Sequence, residues 1–112
     1  MIHEGGLRTP FIASWPGKIP AGLVSEALLS LSDVVPTLAA VVGKELPKGV
    51  APDGLNLLPV LLGKPPETPI RTEVMLRASR PDSALRQGDW KFIKLGNGRF
   101  ELYNLASDPG EK

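Results

Sequence analysis

Glu4-Gly5-Gly6-Leu7-Arg8-Thr9-Pro10-Phe11-Ile12-Ala13-Ser14-Trp15-Pro16-Gly17-Lys18-Ile19 opens the chain with two glycines, an apolar run and a Pro-Gly stop. Two adjacent glycines permit a backbone turn without a Cβ penalty, and a short apolar run follows until Pro16 and Gly17 stop it. Phe11, Ile12 and Ala13 are apolar in succession rather than in alternation. A strand of that kind is expected to be covered on both faces, as in a parallel or mixed sheet. The stretch therefore predicts a loop feeding a buried strand over residues 7–15, with Pro10, which cannot donate to a ladder, near the start of its pairing.

Working outward, the composition limits what surrounds this strand. At 112 residues and 42% hydrophobic, the chain is long enough for one core and too short for two good ones. A net charge of +1 with scattered Lys, Arg, Asp and Glu leaves no basic stripe for nucleic acid and no polybasic cluster for a membrane surface. No apolar run approaches a bilayer span, and the first residues lack the pattern of a signal peptide. Cysteine is absent, which excludes disulfides and thiolate metal sites. The 12 prolines and 12 glycines call for short elements and frequent connections.

Two helix starts share one pattern: Asp33-Val34-Val35-Pro36-Thr37-Leu38 and Asn56-Leu57-Leu58-Pro59-Val60-Leu61. Each reads as a cap, two apolar residues and a proline early enough that its missing N–H costs no intrahelical bond. The spacing predicts helices over 33–42 and 56–62, closed by Gly43 and Gly63 as left-handed caps. Val34, Val35, Leu38, Val41 and Val42 should form a buried stripe on the first. In the last third, Thr72 to Ala78 alternates as a strand, with Val74 and Leu76 on one face. Ala84 to Leu95 reads as two strands around Gly88-Asp89. Asn97-Gly98 predicts a type I′ hairpin pairing Trp90–Leu95 with Arg99–Leu105. A three- or four-stranded antiparallel meander with one face against a helix is expected, with Trp15 and Trp90 in a core or an interface.

Taken in order, these blocks resemble the sulfatase family, of the arylsulfatase type, in its C-terminal portion. Glu-Gly-Gly-x-Arg-x-Pro followed by Trp15-Pro16-Gly17-Lys18-Ile19 is one block. Ser30 to Leu38 is the second, Asp53 to Leu61 the third. Leu85 to Lys91 with Glu101 to Glu111 forms the fourth. The resemblance implies an α+β fragment of an alkaline-phosphatase-like α/β fold. Residues 1–69 would end the catalytic α/β domain with one buried strand and two helices, and 70–112 would be a small antiparallel C-terminal sheet.

The same resemblance says what chemistry to look for. Sulfatases use a formylglycine hydrate as nucleophile, made from Cys or Ser in a Cys/Ser-x-Pro-x-Arg motif. A divalent cation, usually calcium, is held by Asp and Asn oxygens, and Lys and His act on the sulfate ester. Ser79-Arg80-Pro81-Asp82-Ser83 lacks the final Arg and lies between two expected strands, so it reads as a turn. Asp33, Asp53, Asp82, Asp89 and Asp108 are each isolated and read as caps or turns. No catalytic residue and no metal ligand is therefore expected in this chain.

The family's active-site lysine would lie just before Met1. Glu4 and Arg8 are accordingly candidates for bracing the loop that carries it. His3, the only histidine, reads as a loop residue and is retained, with Arg77 and Arg80, as a substrate-side candidate; Arg86 joins the two arginines as a guanidinium able to meet an anion.

The function implied is hydrolysis of sulfate esters by a full-length enzyme, periplasmic or secreted, with substrate met by the missing catalytic domain and this chain inactive alone. The alternative from another class is a stand-alone, non-catalytic α+β module that binds a partner, or a second copy of itself, through an exposed edge at 7–15. A chain that never folds stands as a third possibility.

Overall fold

The structure is a computed structural model, and it describes residues 2–78 and 81–112. Two compact units divide the chain. Residues up to Phe11 belong with Thr72–Lys112, and Ile12–Arg71 forms the other.

The first unit is a four-stranded antiparallel meander in sequence order: β1 Glu73–Arg77, β2 Ser83–Gln87, β3 Trp90–Lys94 and β4 Phe100–Asn104. Its register places Val74 opposite Arg86, Ala84 opposite Ile93, and Lys91 opposite Tyr103. The alternation read in β1 holds, with Val74 and Leu76 half-buried and Glu73, Met75 and Arg77 exposed. Gly88-Asp89 makes the two-residue turn between β2 and β3. The Asn97-Gly98 hairpin forms between the expected strands but not as type I′, because Gly98 alone takes positive φ, at 84°. Leu95 N donates to Arg99 O, Gly98 N to Leu95 O, and the Asn97 carboxamide accepts from Arg99 N. That is a three-residue loop with glycine at the left-handed position.

One face of the sheet is covered and the other is bare. Ile2, Ala84 and Ile93 form the core, with Leu76, Ala78, Leu95 and Tyr103 against it. The cover comes from Ile2 and the helical turn α1, Glu4–Leu7. The opposite face carries Met75, Leu85, Phe92 and Leu102 in register across all four strands. Met75, Phe92 and Leu102 there are largely exposed, and Phe92 stacks on Phe100 at 5.6 Å. Trp90, expected in a core or interface, is 53% exposed on this face.

The strand expected over 7–15 does not form. Residues 4–7 are helical and 8–15 have no strand pairing. Ile12 is 90% exposed and Phe11 is also open. A strand is held by ladder bonds and by burial of its side chains. All four strands among the described residues pair only with one another, so this segment has neither. The edge on which the partner-binding alternative rests is thus not a strand here.

In the second unit, a 3-10 turn, Leu31–Asp33, leads into α2, Val34–Val41, and α3 is Leu58–Leu61. Both helices are shorter than expected by one or two residues at each end, the usual scatter of helix boundaries. Gly43 and Gly63 follow them with positive φ, as predicted. The valine stripe of α2 is not buried: Val35, Leu38 and Val42 are exposed, and Thr37 is the buried residue instead. An apolar stripe is buried only where another surface meets it, and within this unit Thr37 is the α2 residue that bonds the segment entering α3, at Leu57 N. Among the described residues, no helix is long and apolar enough to cross a membrane.

Candidate functional site

The second unit is built around a carboxylate. Asp33 was expected to be an N-cap, but the cap is Ser30. Ser32 N donates to the Ser30 hydroxyl at 3.4 Å, and Ser30 N donates back to Asp33 Oδ2 at 2.9 Å, closing a capping box. Asp33 is 1% exposed and is not an isolated cap. Its Oδ1 accepts from Leu55 N at 2.9 Å, and Arg71 grips both oxygens, Nε reaching Oδ2 at 2.8 Å and Nη2 reaching Oδ1. Arg71 Nη2 also donates to Asp53 O at 2.7 Å.

Burial disfavours the ionised form of Asp33, but the hydrogen bonds from Arg71, Ser30 and Leu55 outweigh it and hold the carboxyl below its usual range. Thr37 adds a second stitch by accepting from Leu57 N at 2.9 Å. Gly54 passes so close that a Cβ would lie 2.4 Å from Ser32 O. Nearby, Leu57, Val60, Pro65, Pro69 and Ile70 line an apolar cleft. Its guanidinium, Arg71, is committed to Asp33.

The covered face of the sheet holds the residues that sequence reasoning singled out at the start of the chain. Glu4 is buried, at 6% exposure, and Lys91 of β3 is wholly buried. Lys91 Nζ lies 2.9 Å from Glu4 Oε1 and 2.7 Å from Glu111 Oε1. The second contact lies off the hydrogen-bonding direction, so it is electrostatic. Glu111 Oε2 accepts from Glu4 N, and Arg8 Nε stands 3.5 Å from Glu4 Oε2 from a largely exposed side chain.

Beside this cluster His3 Nε2 meets Glu101 Oε2 at 3.0 Å, and Tyr103 donates to the same oxygen at 3.2 Å. The His3 ring stands edge-on to Tyr103 at 6.4 Å. The bond from His3 lowers the Glu101 pKa despite desolvation, while desolvation and the Glu101 charge raise that of Tyr103.

The structure thus brings together His3, Glu4 and Arg8. Arg77 lies on the bare face, and Arg86 Nε donates to Gly88 O at 3.2 Å, within its own turn. Arg80 lies outside the described residues, as does part of the Ser79–Ser83 motif. Lys91, Glu101 and Glu111 were missed as partners. The signals available were a lysine at an inward-facing strand position and an acidic residue closing the last block. Among the described residues no three of His, Cys, Asp and Glu gather as a metal site. The buried carboxylates, Asp33, Glu4 and Glu111, already have cationic or amide partners, so these residues do not fit the family's cation.

Comparison with known proteins gives this geometry its context. All of residues 1–112 match the family described as N-sulphoglucosamine sulphohydrolase, C-terminal. The chain belongs to the sulfatase family and corresponds to its C-terminal portion. An N-acetylgalactosamine-6-O-sulfatase of Bacteroides thetaiotaomicron is 34% identical over 98% of this chain and 24% of its own length. Human arylsulfatase A is 36% identical over 97% of the chain and 26% of its own. Ps i-CgsB, solved with k-i-k-neocarrahexaose, superposes with a TM-score of 0.69 at 29% identity, covering 88% of this chain and 22% of that one. The chain spans about a quarter of the length of these curated relatives. Its helices and antiparallel sheet are those of an α+β fragment of the sulfatase fold.

Proposed function

We propose that this chain is the C-terminal part of an enzyme that hydrolyses sulfuric esters with water, and that it has no such activity alone. The observation that carries the reading is the family match over all 112 residues, in a chain spanning about a quarter of its relatives. In this reading the formylglycine nucleophile and the calcium site belong to residues upstream of Met1. The enzyme works in the periplasm or outside the cell, and substrate is met by the catalytic domain. Two physical features support it. Among the described residues, the buried charged side chains Asp33, Glu4 and Lys91 are engaged in ion pairs within the chain. Large apolar side chains on α2, at Phe11 and Ile12, and on the bare face of the sheet stand in solvent, as surfaces cut from a larger interior would.

The test is turnover of a chromogenic aryl sulfate by the 112-residue chain, and by a protein in which the coding sequence upstream of Met1 in its genome is retained. Activity only in the longer protein is expected. Turnover by the short chain, or none by a folded longer protein across a panel of sulfate esters, would overturn the reading.

A further inference from the structure

We propose that Lys91 is a positioning residue: with Glu111 it locks the Glu4–Leu7 turn onto the sheet, so that Ile2, His3 and Glu4 are held in one place. The proposal rests on the sulfatase reading for its catalytic meaning, since the family's active-site lysine would lie just before this turn.

The turn has little else to hold it. Gly5 and Gly6 are exposed, a Cβ at Gly5 would touch nothing, and Leu7 is only half-buried. Ile2 is its apolar anchor. Internally it is closed by Gly6 N to His3 O and Arg8 N to Glu4 O, both 2.9 Å, bonds that shape the turn without fixing where it sits. Its placement comes from side chains far away in sequence. Lys91 binds the Glu4 carboxylate, Glu111 takes the Glu4 amide, and His3 meets Glu101 one residue before.

Stability is a poor explanation for the cluster. Two carboxylates and a lysine are desolvated at a sheet face that also carries Ala84 and Ile93. Replacing buried ion clusters by apolar groups is often neutral or stabilising, and their best-attested use is to fix one register among several. An apolar contact tolerates sliding; a lysine bonded to one carboxylate at 2.9 Å and paired with a second at 2.7 Å resists it.

The experiment compares amide hydrogen exchange in the 112-residue chain with that in the triple variant Glu4→Gln/Lys91→Met/Glu111→Gln, which removes all three charges and leaves none orphaned. Global unfolding temperature is expected to change little. Exchange at Gly6 and Arg8 should rise about tenfold or more relative to the amides of Leu95 and Leu105, which follow the strand ends and donate to Arg99 O and Asp89 O, as expected for a locally released segment. An unchanged ratio would overturn the proposal.

Should the triple variant not fold, Glu111→Ala keeps the matched Lys91–Glu4 pair and bares the Glu4 amide. Faster exchange at Glu4 supports the lock, and unchanged exchange sinks it. In the longer sulfatase, the triple variant should lower kcat with KM nearly unchanged. If the unaltered longer protein shows no turnover, the sulfatase reading has failed while the exchange result still decides the lock.

Discussion

Each compact unit of this chain is organised around a buried charge, one negative and one positive, and the two are built differently. Asp33 collects its donors partly from its own neighbourhood, in the Ser30 amide, and partly from Leu55 N and Arg71. Lys91 has no comparable local help. A carboxylate can be met by backbone N–H groups at a helix start, which any chain supplies there. An ammonium offers three donors and needs acceptors. Those of a β-strand are already used in its ladder, so Glu4 and Glu111 must come from opposite ends of the chain. A buried anion at a helix start can be specified locally, whereas a buried cation in a sheet requires the tertiary fold.

That contrast can be broken by substitution. Lys91→Met alone should be the most damaging change, because it leaves two carboxylates buried without a cation; loss of one partner from such a cluster costs about 3–5 kcal/mol. Denaturant titration would measure it, and a loss smaller than that of the charge-free triple variant would contradict the account. Asp33→Asn retains the shape but weakens the charge-assisted bonds to Arg71, at about 2–3 kcal/mol.

The same substitution tests the pH dependence. A carboxyl held below its usual value contributes stability that is present above the unfolded value, about 3.9, and is lost as pH falls through the folded one. Asp33→Asn should therefore flatten the acid limb of the stability curve below that pH, and an unaltered limb would assign the acid sensitivity elsewhere.

Gly54→Ala comes next. Its Cβ would press on Ser32 O and Pro36, and relief by shifting the 54–57 loop from α2 should cost about 1–3 kcal/mol, read as a lower thermal midpoint. Leu102→Ser marks the small end. Leu102 is 60% exposed on the bare face, so the expected change is within about 0.5 kcal/mol. A loss comparable to that of Gly54→Ala would mean that this face is covered in solution.

Much of the architecture was legible in the residues. The alternation of Thr72–Ala78, the glycine turns at Gly88 and Gly98, and the proline-marked helix starts each act over a few residues. Such signals survive with or without neighbours. The family signature is legible for the same reason, as caps and turns in a particular order. The errors came where a local pattern was asked to predict a distant partner. Phe11-Ile12-Ala13 has the composition of a buried strand but pairs with nothing among the described residues. The α2 stripe likewise has helical spacing, yet Val35, Leu38 and Val42 stay exposed.

What adjacent residues settled was the kind of the two proline-marked helices and of the four meander strands, the order of the meander and membership of the sulfatases, because propensity, capping and turn chemistry are properties of neighbours in sequence. Tertiary structure alone decided which charges are buried together. Glu4 reads as a loop acid, Lys91 as a strand lysine and Glu111 as a turn residue until the sheet forms and brings positions 4, 91 and 111 within hydrogen-bonding distance. A charge leaves water only when all of its partners arrive together, and residues separated by most of the chain carry no local sign of that meeting.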